Sequence, residues 1–317
     1  MRKCLYCYQP LSESEKDFHS SCAKKIFGTA TPPIIDFDLK QLEELAKQIV
    51  VQSIAVTGVQ PKLSLSLEKH KNELSRLTIV GLNGDYILKP PSSEYVELPE
   101  NEDLTMHLAE LVKIKTAKHS LIRLNSGELA YITKRFDRKK GQKIAVEDFA
   151  QLSENLTEHK YRGSIEKVGK LVYHFTSNKG FEAQRLFELV LFSYLTGNAD
   201  MHLKNFSLME NNLGEYELSP AYDLLSTALI IPDDKEEFAL TINGKKSRLK
   251  RSDFDTLATS LKINDKSLQA IYDRFYKGLS KWGDFIKQSL LSDEMKNNYM
   301  ELLKSRYKIL LFLNKEI

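Results

Sequence analysis

Short alternations of apolar and polar residues dominate the chain from about residue 53 to 136. Leu63-Ser-Leu-Ser-Leu67 alternates strictly, and Leu77 to Val80, Tyr86 to Leu88 and Leu129 to Thr133 are similar short runs. A period near two sends successive side chains to opposite faces, so these stretches predict strands of an antiparallel sheet. One helix, at about 101–113, interrupts them. From roughly residue 145 the period changes. Leu268, Ile271, Phe275, Leu279, Trp282 and Phe285 recur every three or four residues, and Met295 to Leu313 repeats the pattern; both predict helices. Ahead of the sheet, Leu39, Leu42, Leu45, Ala46 and Ile49 predict a further helix, entered through a Thr31-Pro-Pro33 joint. The order is α+β, a small sheet-rich lobe followed by a larger helical lobe, and alone it names no function.

Composition narrows the class. The chain has 317 residues, 42% of them hydrophobic and 28% charged, as expected of a soluble globular protein. The longest apolar run, Leu186 to Leu195, contains Glu188 and Ser193 and is too short and polar to span a bilayer, so no membrane partner is expected. The opening Met-Arg-Lys-Cys lacks the apolar core of a secretory signal. A net charge of +3 says little about nucleic acid. The three cysteines all fall within the first 22 residues. Their odd number argues against a disulfide framework and for a cytoplasmic protein.

Those cysteines form a pattern with one histidine. Cys4-x-x-Cys7 and His19-x-x-Cys22 are two close pairs with eleven polar-rich residues between them. Zn²⁺ takes four sulfur or nitrogen ligands in a tetrahedron, and pairs spaced this way close on one ion. A structural Zn²⁺ site is the expectation.

The other chemistry lies in Gly197-Asn-Ala-Asp200-Met-His202-Leu-Lys204-Asn205-Phe206, between an apolar helix and an alternating run. Phosphoryl transfer needs a carboxylate to orient the attacking hydroxyl and oxygen ligands to hold Mg²⁺. Asp200 and Asn205 have the spacing that serves these roles in kinase catalytic loops, and Asp223, at the end of another apolar run, supplies a second acid. The same spacing also arises in ordinary turn and cap residues. Upstream, Gly58 in a turn and Lys89 at a strand end could meet phosphates, with Glu102 or Glu110 as the partner acid. Asp137, at a strand end where a hinge would fall, could accept a ribose hydroxyl. Loop, lysine, acid, hinge, Asp-x-x-x-x-Asn and second Asp occur in kinase order.

At these residues the sequence resembles the HipA family of bacterial serine/threonine kinases, the toxins of toxin–antitoxin pairs. Gly58-Val-Gln60-Pro-Lys62 is similar to the family's glycine loop, and Lys134-Arg135-Phe136-Asp137 to its hinge. Asn198 to Ser207 is similar to its catalytic loop, and Ser219 to Ser226 to its magnesium-aspartate segment. The resemblance implies a two-lobed protein-kinase-like fold with ATP and Mg²⁺ as cofactors. Asp200 would be the catalytic base, His202 would support the loop, and Asn205 and Asp223 would hold Mg²⁺. Lys89 would be the phosphate-binding lysine, with Glu102 or Glu110 as its partner acid. Thr57, Gly58, Gln60, Lys62, Arg135, Phe136 and Asp137 would line the nucleotide. It places an activation segment near Ala145 to Gln151, followed by the basic stretch Lys160 to Gly163. Ala55 stands at the usual place of an autophosphorylated serine, which leaves Thr57 as the expected phosphorylation site.

The resemblance further implies a protein substrate, in the class of the aminoacyl-tRNA synthetases, and growth arrest. Its partners would be a HipB-like antitoxin, with DNA met only through it, and the separate HipS-like small subunit of the short, HipT-like form. The expected division is 1–28 zinc segment, 29–138 N-lobe and 139–317 helical C-lobe. Two other readings stand beside this one: a pseudokinase that binds an antitoxin and its operator, and a small-molecule kinase using the same Asp-x-x-x-x-Asn.

Overall fold

The computed structural model describes residues 2–52, 61–69, 74–81, 83–139 and 141–311. Thr57, Gly58 and Gln60 of the expected glycine loop lie outside the described residues. The chain forms two compact units. One comprises Met1–Asp103, Ala117–Gly141 and Gln288–Leu291; the other Leu104–Thr116, Gln142–Lys287 and Ser292–Ile317. Residues 1–28 therefore belong to the same unit as the sheet, and Leu104–Thr116 fall in the second unit, unlike the division expected from sequence.

The first unit is built on a five-stranded antiparallel sheet of β1 (Leu63–Glu68), β2 (Arg76–Ile79), β3 (Tyr86–Lys89), β4 (His119–Arg123) and β5 (Leu129–Lys134), in the order β2-β1-β3-β5-β4. The alternation in β1 is realised as expected: Leu63 and Leu65 are buried and Ser64 and Ser66 half-buried. Register places Leu63 opposite Leu88 and Lys89 opposite Tyr131. Strand β4 has no alternating pattern because four of its five residues are buried. The N-terminal segment covers it: Leu121 N–H and the Ser120 hydroxyl both donate to the Leu5 carbonyl, at 3.3 Å and 3.1 Å. An edge strand protected in this way loses its polar face.

Helix α1 (Ser20–Phe27) stops at Gly28, whose φ of 73° makes a left-handed cap. Helix α2 (Leu39–Gln52) starts at Asp38, whose carboxylate accepts from Gln41 N–H at 2.8 Å. Helix α3 (Leu98–Leu111) matches the helix expected at about 101–113, but its polar residues are not a solvated face. Asn101, Glu102, Asp103, Thr105 and His107 are all buried.

The second unit contains α4 (Phe149–Leu152), α5 (Ile165–Phe175), α6 (Lys179–Leu195), α7 (Arg251–Ser260), α8 (Asp265–Gln288) and α9 (Asp293–Leu311). Its core is aromatic. Trp282 of α8 is fully buried, donates its indole N–H to the Leu108 carbonyl at 2.9 Å, and packs edge-on against Phe192 and Phe275. A three-stranded antiparallel sheet of β6 (Val146–Asp148), β7 (Ser207–Glu210) and β8 (Tyr216–Leu218), ordered β8-β7-β6, lies among these helices. The stretch expected to be the activation segment is thus strand β6 and helix α4. It is closed by a reciprocal cap between Asp148 and Gln151 and tied to the loop before β7 by Phe149 N–H donating to the Phe206 carbonyl at 3.1 Å. Among the described residues no helix is long and apolar enough to cross a membrane.

Candidate active site

Asp200 lies in the loop between α6 and β7, and the loop's course is set before the carboxylate is reached. Gly197 has a φ of 69°, and a Cβ there would meet Leu302 Cδ2 at 2.7 Å and Ala228 Cβ at 2.9 Å. Both the backbone and the packing call for glycine. The Thr227 hydroxyl donates to the Gly197 carbonyl at 3.1 Å and accepts from Ala199 N–H at 2.8 Å. The Asn198 side-chain oxygen accepts from Asp200 N–H at 3.2 Å.

The Asp200 side chain is 44% exposed, and its Oδ1 accepts from the Tyr161 hydroxyl at 2.8 Å. Burial, this hydrogen bond and the Asp200 charge push the Tyr161 phenol well above its usual range, so it stays a donor. His202 packs edge-on against the Tyr161 ring, with centroids 5.1 Å apart. Its Nε2 is 3.9 Å from Asp200 Oδ2, beyond hydrogen-bond length. Burial lowers the His202 pKa and Lys160 lowers it further, against the opposing pull of Asp200 and Asp223. The ring acts as a wall of the loop.

Asn205 is 6% exposed and donates its side-chain amide to the Asp200 carbonyl at 2.8 Å. The amide oxygen is then the atom left for a cation. Asp223 has a left-handed φ of 59°. Its neighbour Tyr222 donates to the Lys204 carbonyl at 2.9 Å and takes a hydrogen bond from the Ser207 hydroxyl at 2.5 Å. Upstream, β8 is held by Glu182, which accepts from Leu218 N–H at 2.9 Å. Arg185 donates to the Leu218 and Ser219 carbonyls at 2.8 Å and 3.2 Å. Asn205 is thus bonded to Asp200, His202 packs on Tyr161, and the segment bearing Asp223 is tied to the same loop through Tyr222 and Lys204.

In the first unit, Lys89 Nζ is 2.5 Å from Glu102 Oε1, with side-chain exposures of 5% and 1%. Of the two acids considered from sequence, Glu102 is the partner. Glu110 instead faces His107 at 3.3 Å and accepts from Thr116 at 2.9 Å. Asp137 is clasped by Arg135 at 2.7 Å and Arg138 at 2.6 Å. Burial by itself would raise its carboxyl, but the hydrogen bond and charge of Arg135 and the charge of Arg138 outweigh that and hold it below the usual range. Phe136 is half-buried beside it, and Lys62 is exposed ahead of β1. Tyr161, Tyr222 and Thr227 were not singled out as site residues from sequence. Each reaches the loop across a gap of many residues, which no local spacing reports.

The family model of the HipA-like C-terminal domain matches residues 54–282. This chain belongs to the HipA-like family. Its relatives include a "putative kinase Y4dM" of Sinorhizobium fredii, 32% identical over 225 residues, which are 67% of this chain and 54% of that protein. The "serine/threonine-protein kinase toxin HipA" of Shewanella oneidensis is 28% identical over 212 residues, 61% of this chain and 47% of that one. The chain spans about half the length of these curated relatives. Among solved structures, the Shewanella oneidensis HipA–HipB–operator DNA complex aligns with a TM-score of 0.67 at 22% identity, over 81% of this chain and 65% of that one. The Helicobacter pylori proinflammatory kinase CtkA aligns with a TM-score of 0.55 at 17% identity, over 74% of this chain and 90% of that one. The HipA-like fold is kinase-like, with mixed helices and antiparallel sheets.

Proposed function

We propose that this HipA-like chain is an ATP-dependent serine/threonine protein kinase that phosphorylates a cytosolic protein and so arrests growth. The observation that carries the reading is the clasp of Asn205 on the Asp200 carbonyl. It fixes an exposed carboxylate and an amide oxygen on one short loop, beside the segment of Asp223. The buried Lys89–Glu102 pair supports it from the other unit. Oxygen donors from Asn205 and Asp223 suit a hard cation such as Mg²⁺. Mg²⁺-ATP would supply the phosphoryl group and the charge that screens it.

In this reading Asp200 accepts the hydroxyl hydrogen of a substrate serine or threonine and orients its oxygen for attack. Tyr161, bonded to Oδ1, holds the carboxylate's orientation. The Lys89 ammonium, paired with Glu102, contacts the nucleotide phosphates, and Arg135, Phe136 and Asp137 line the nucleotide with Lys62 and the loop of Thr57, Gly58 and Gln60. Thr57 is the proposed autophosphorylation site.

The proposed setting is cytoplasmic. The substrate class is the aminoacyl-tRNA synthetases, with a HipB-like antitoxin and a HipS-like subunit as partners. The Shewanella neighbour, solved with HipB and operator DNA, supports the antitoxin.

Incubating the protein with Mg²⁺, γ-labelled ATP and cell lysate should label a discrete protein band, and the Asp200→Ala variant should not. Label in a small molecule, or none above that control, overturns the proposal in favour of a small-molecule kinase or a pseudokinase.

A further inference from the structure

The N-terminal residues carry a cluster that the proposed reaction does not use. Ligand atoms of Cys4, Cys7, His19 and Cys22 all lie within 4.8 Å of one another. Cys7 Sγ is 3.4 Å and Cys22 Sγ 3.8 Å from His19 Nδ1. One tetrahedral ion, with sulfur at ~2.3 Å and nitrogen at ~2.0 Å, separates its ligand atoms by roughly 3.5 to 3.8 Å. A two-iron cluster would spread four ligands over two metals and hold them further apart.

The histidine is oriented for ligation: its Nε2 is 3.1 Å from the Pro10 carbonyl, which can only accept, so Nε2 is the donor there and Nδ1 is the ring nitrogen that faces the sulfurs. All three cysteines are free thiols, and Cys4 and Cys22 are buried. The backbone shapes the rest: Cys4 N–H donates to the Gln9 carbonyl and Tyr8 N–H to the Cys4 carbonyl, both at 2.9 Å. Tyr8 adopts a φ of 60°.

The cluster is also tied to the sheet and to α3. Tyr8, directly after Cys7, is 2% exposed and donates its hydroxyl to Asp103 Oδ2 at 2.5 Å. The other Asp103 oxygen is 2.7 Å from His119 Nδ1. Asp103 adjoins Glu102, the partner of Lys89. Arg123 of β4 donates to Asp17, inside the loop between the two ligand pairs, at 3.0 Å.

We propose that Cys4, Cys7, His19 and Cys22 bind one structural Zn²⁺, and that the closed knuckle holds Tyr8 on Asp103 and so fixes the first turns of α3. Without the ion the two pairs are tied by Leu5 N–H donating to the Asp17 carbonyl at 2.8 Å, by His19 on Pro10 and by weak thiol contacts. The bound ion joins them and thereby orders the strut from Tyr8 to Asp103. The metal site is independent of the kinase reading.

The test uses the full chain, expressed in zinc-supplemented medium and purified without chelator. Elemental analysis should find one zinc per chain and negligible iron, and Cys7→Ser and His19→Ala should lose the zinc. If those variants fail to fold, stripping the wild-type protein with a chelator and titrating with Zn²⁺ gives the same answer. Removing the metal should speed amide exchange at Leu121 and at Asn101–Asp103 by about tenfold or more, and adding Zn²⁺ should restore it. A folded wild-type chain that neither carries nor takes up zinc overturns the site. Stoichiometric zinc with unchanged exchange at Asn101–Asp103 overturns the strut. Neither readout depends on phosphoryl transfer, so failure of the kinase assay leaves this test intact.

Discussion

The side-chain amide of Asn205 donates to the backbone carbonyl of Asp200 at 2.8 Å, closing the candidate catalytic loop on itself. The Asp200 carboxylate, by contrast, meets among the described residues only the Tyr161 hydroxyl within hydrogen-bond distance and is 44% exposed. The loop's shape therefore does not depend on the Asp200 side chain. Asp200→Ala should cut phosphoryl transfer about a thousandfold while leaving the thermal midpoint close to that of the parent. Near-normal transfer by the purified variant, measured with labelled ATP, would show that another group is the base. Asn205→Ala should lose Mg²⁺-ATP affinity and loop order together.

The Lys89–Glu102 pair is buried on both sides. Lys89→Met leaves a carboxylate in the core without its cation and should cost about 3–5 kcal/mol in urea unfolding. The double variant Lys89→Met, Glu102→Leu should recover much of that stability, because no unpaired charge remains. Equal losses in the single and double variants would mean that packing, and not charge, governs the site.

Gly197→Ala should destabilise the chain by about 1–3 kcal/mol, since alanine there faces both a left-handed backbone and close contacts to Leu302 and Ala228. Thermal unfolding measures it. A midpoint equal to the parent's would show that the loop can shift without cost.

Glu100 provides a pH signature. Burial, with the nearby charges of Glu97 and Asp103, pushes its carboxyl from 4.5 up to about 7. Between those values the native state keeps a proton that the unfolded chain has released, so this group's contribution to stability falls as pH rises through that window. Glu100→Gln should match the parent near pH 4 and exceed it by on the order of 2 kcal/mol near pH 8. A difference that does not change with pH, in urea titrations at both ends, would remove the assignment.

Four of the five strands of the first sheet were legible as short apolar or alternating runs, most plainly Leu63-Ser-Leu-Ser-Leu67, where Leu63 and Leu65 are buried and Ser64 and Ser66 half-buried. Strand β4 was not, since the covering N-terminal segment removed its alternation. Helix α3 was legible as a helix but not as a buried one. Which of its polar residues are buried depends on Lys89 and Tyr8, which approach them from other elements.

By itself the sequence determined what depends on neighbours in the chain. That covers the period of each element, the grouping of Asp200, His202 and Asn205 on one loop, and the spacing of Cys4 with Cys7 and of His19 with Cys22 at the N-terminus. Only the tertiary structure decided what depends on distant partners. It selected Glu102 over Glu110 for Lys89, set Tyr161 on Asp200 and Tyr222 on Lys204 and Ser207, and brought His19 Nδ1 to the cysteine sulfurs. The physical reason is range. Periodicity and turn chemistry act over a few residues, whereas a hydrogen bond or ion pair between elements forms only after packing has brought its two groups within about 3 Å.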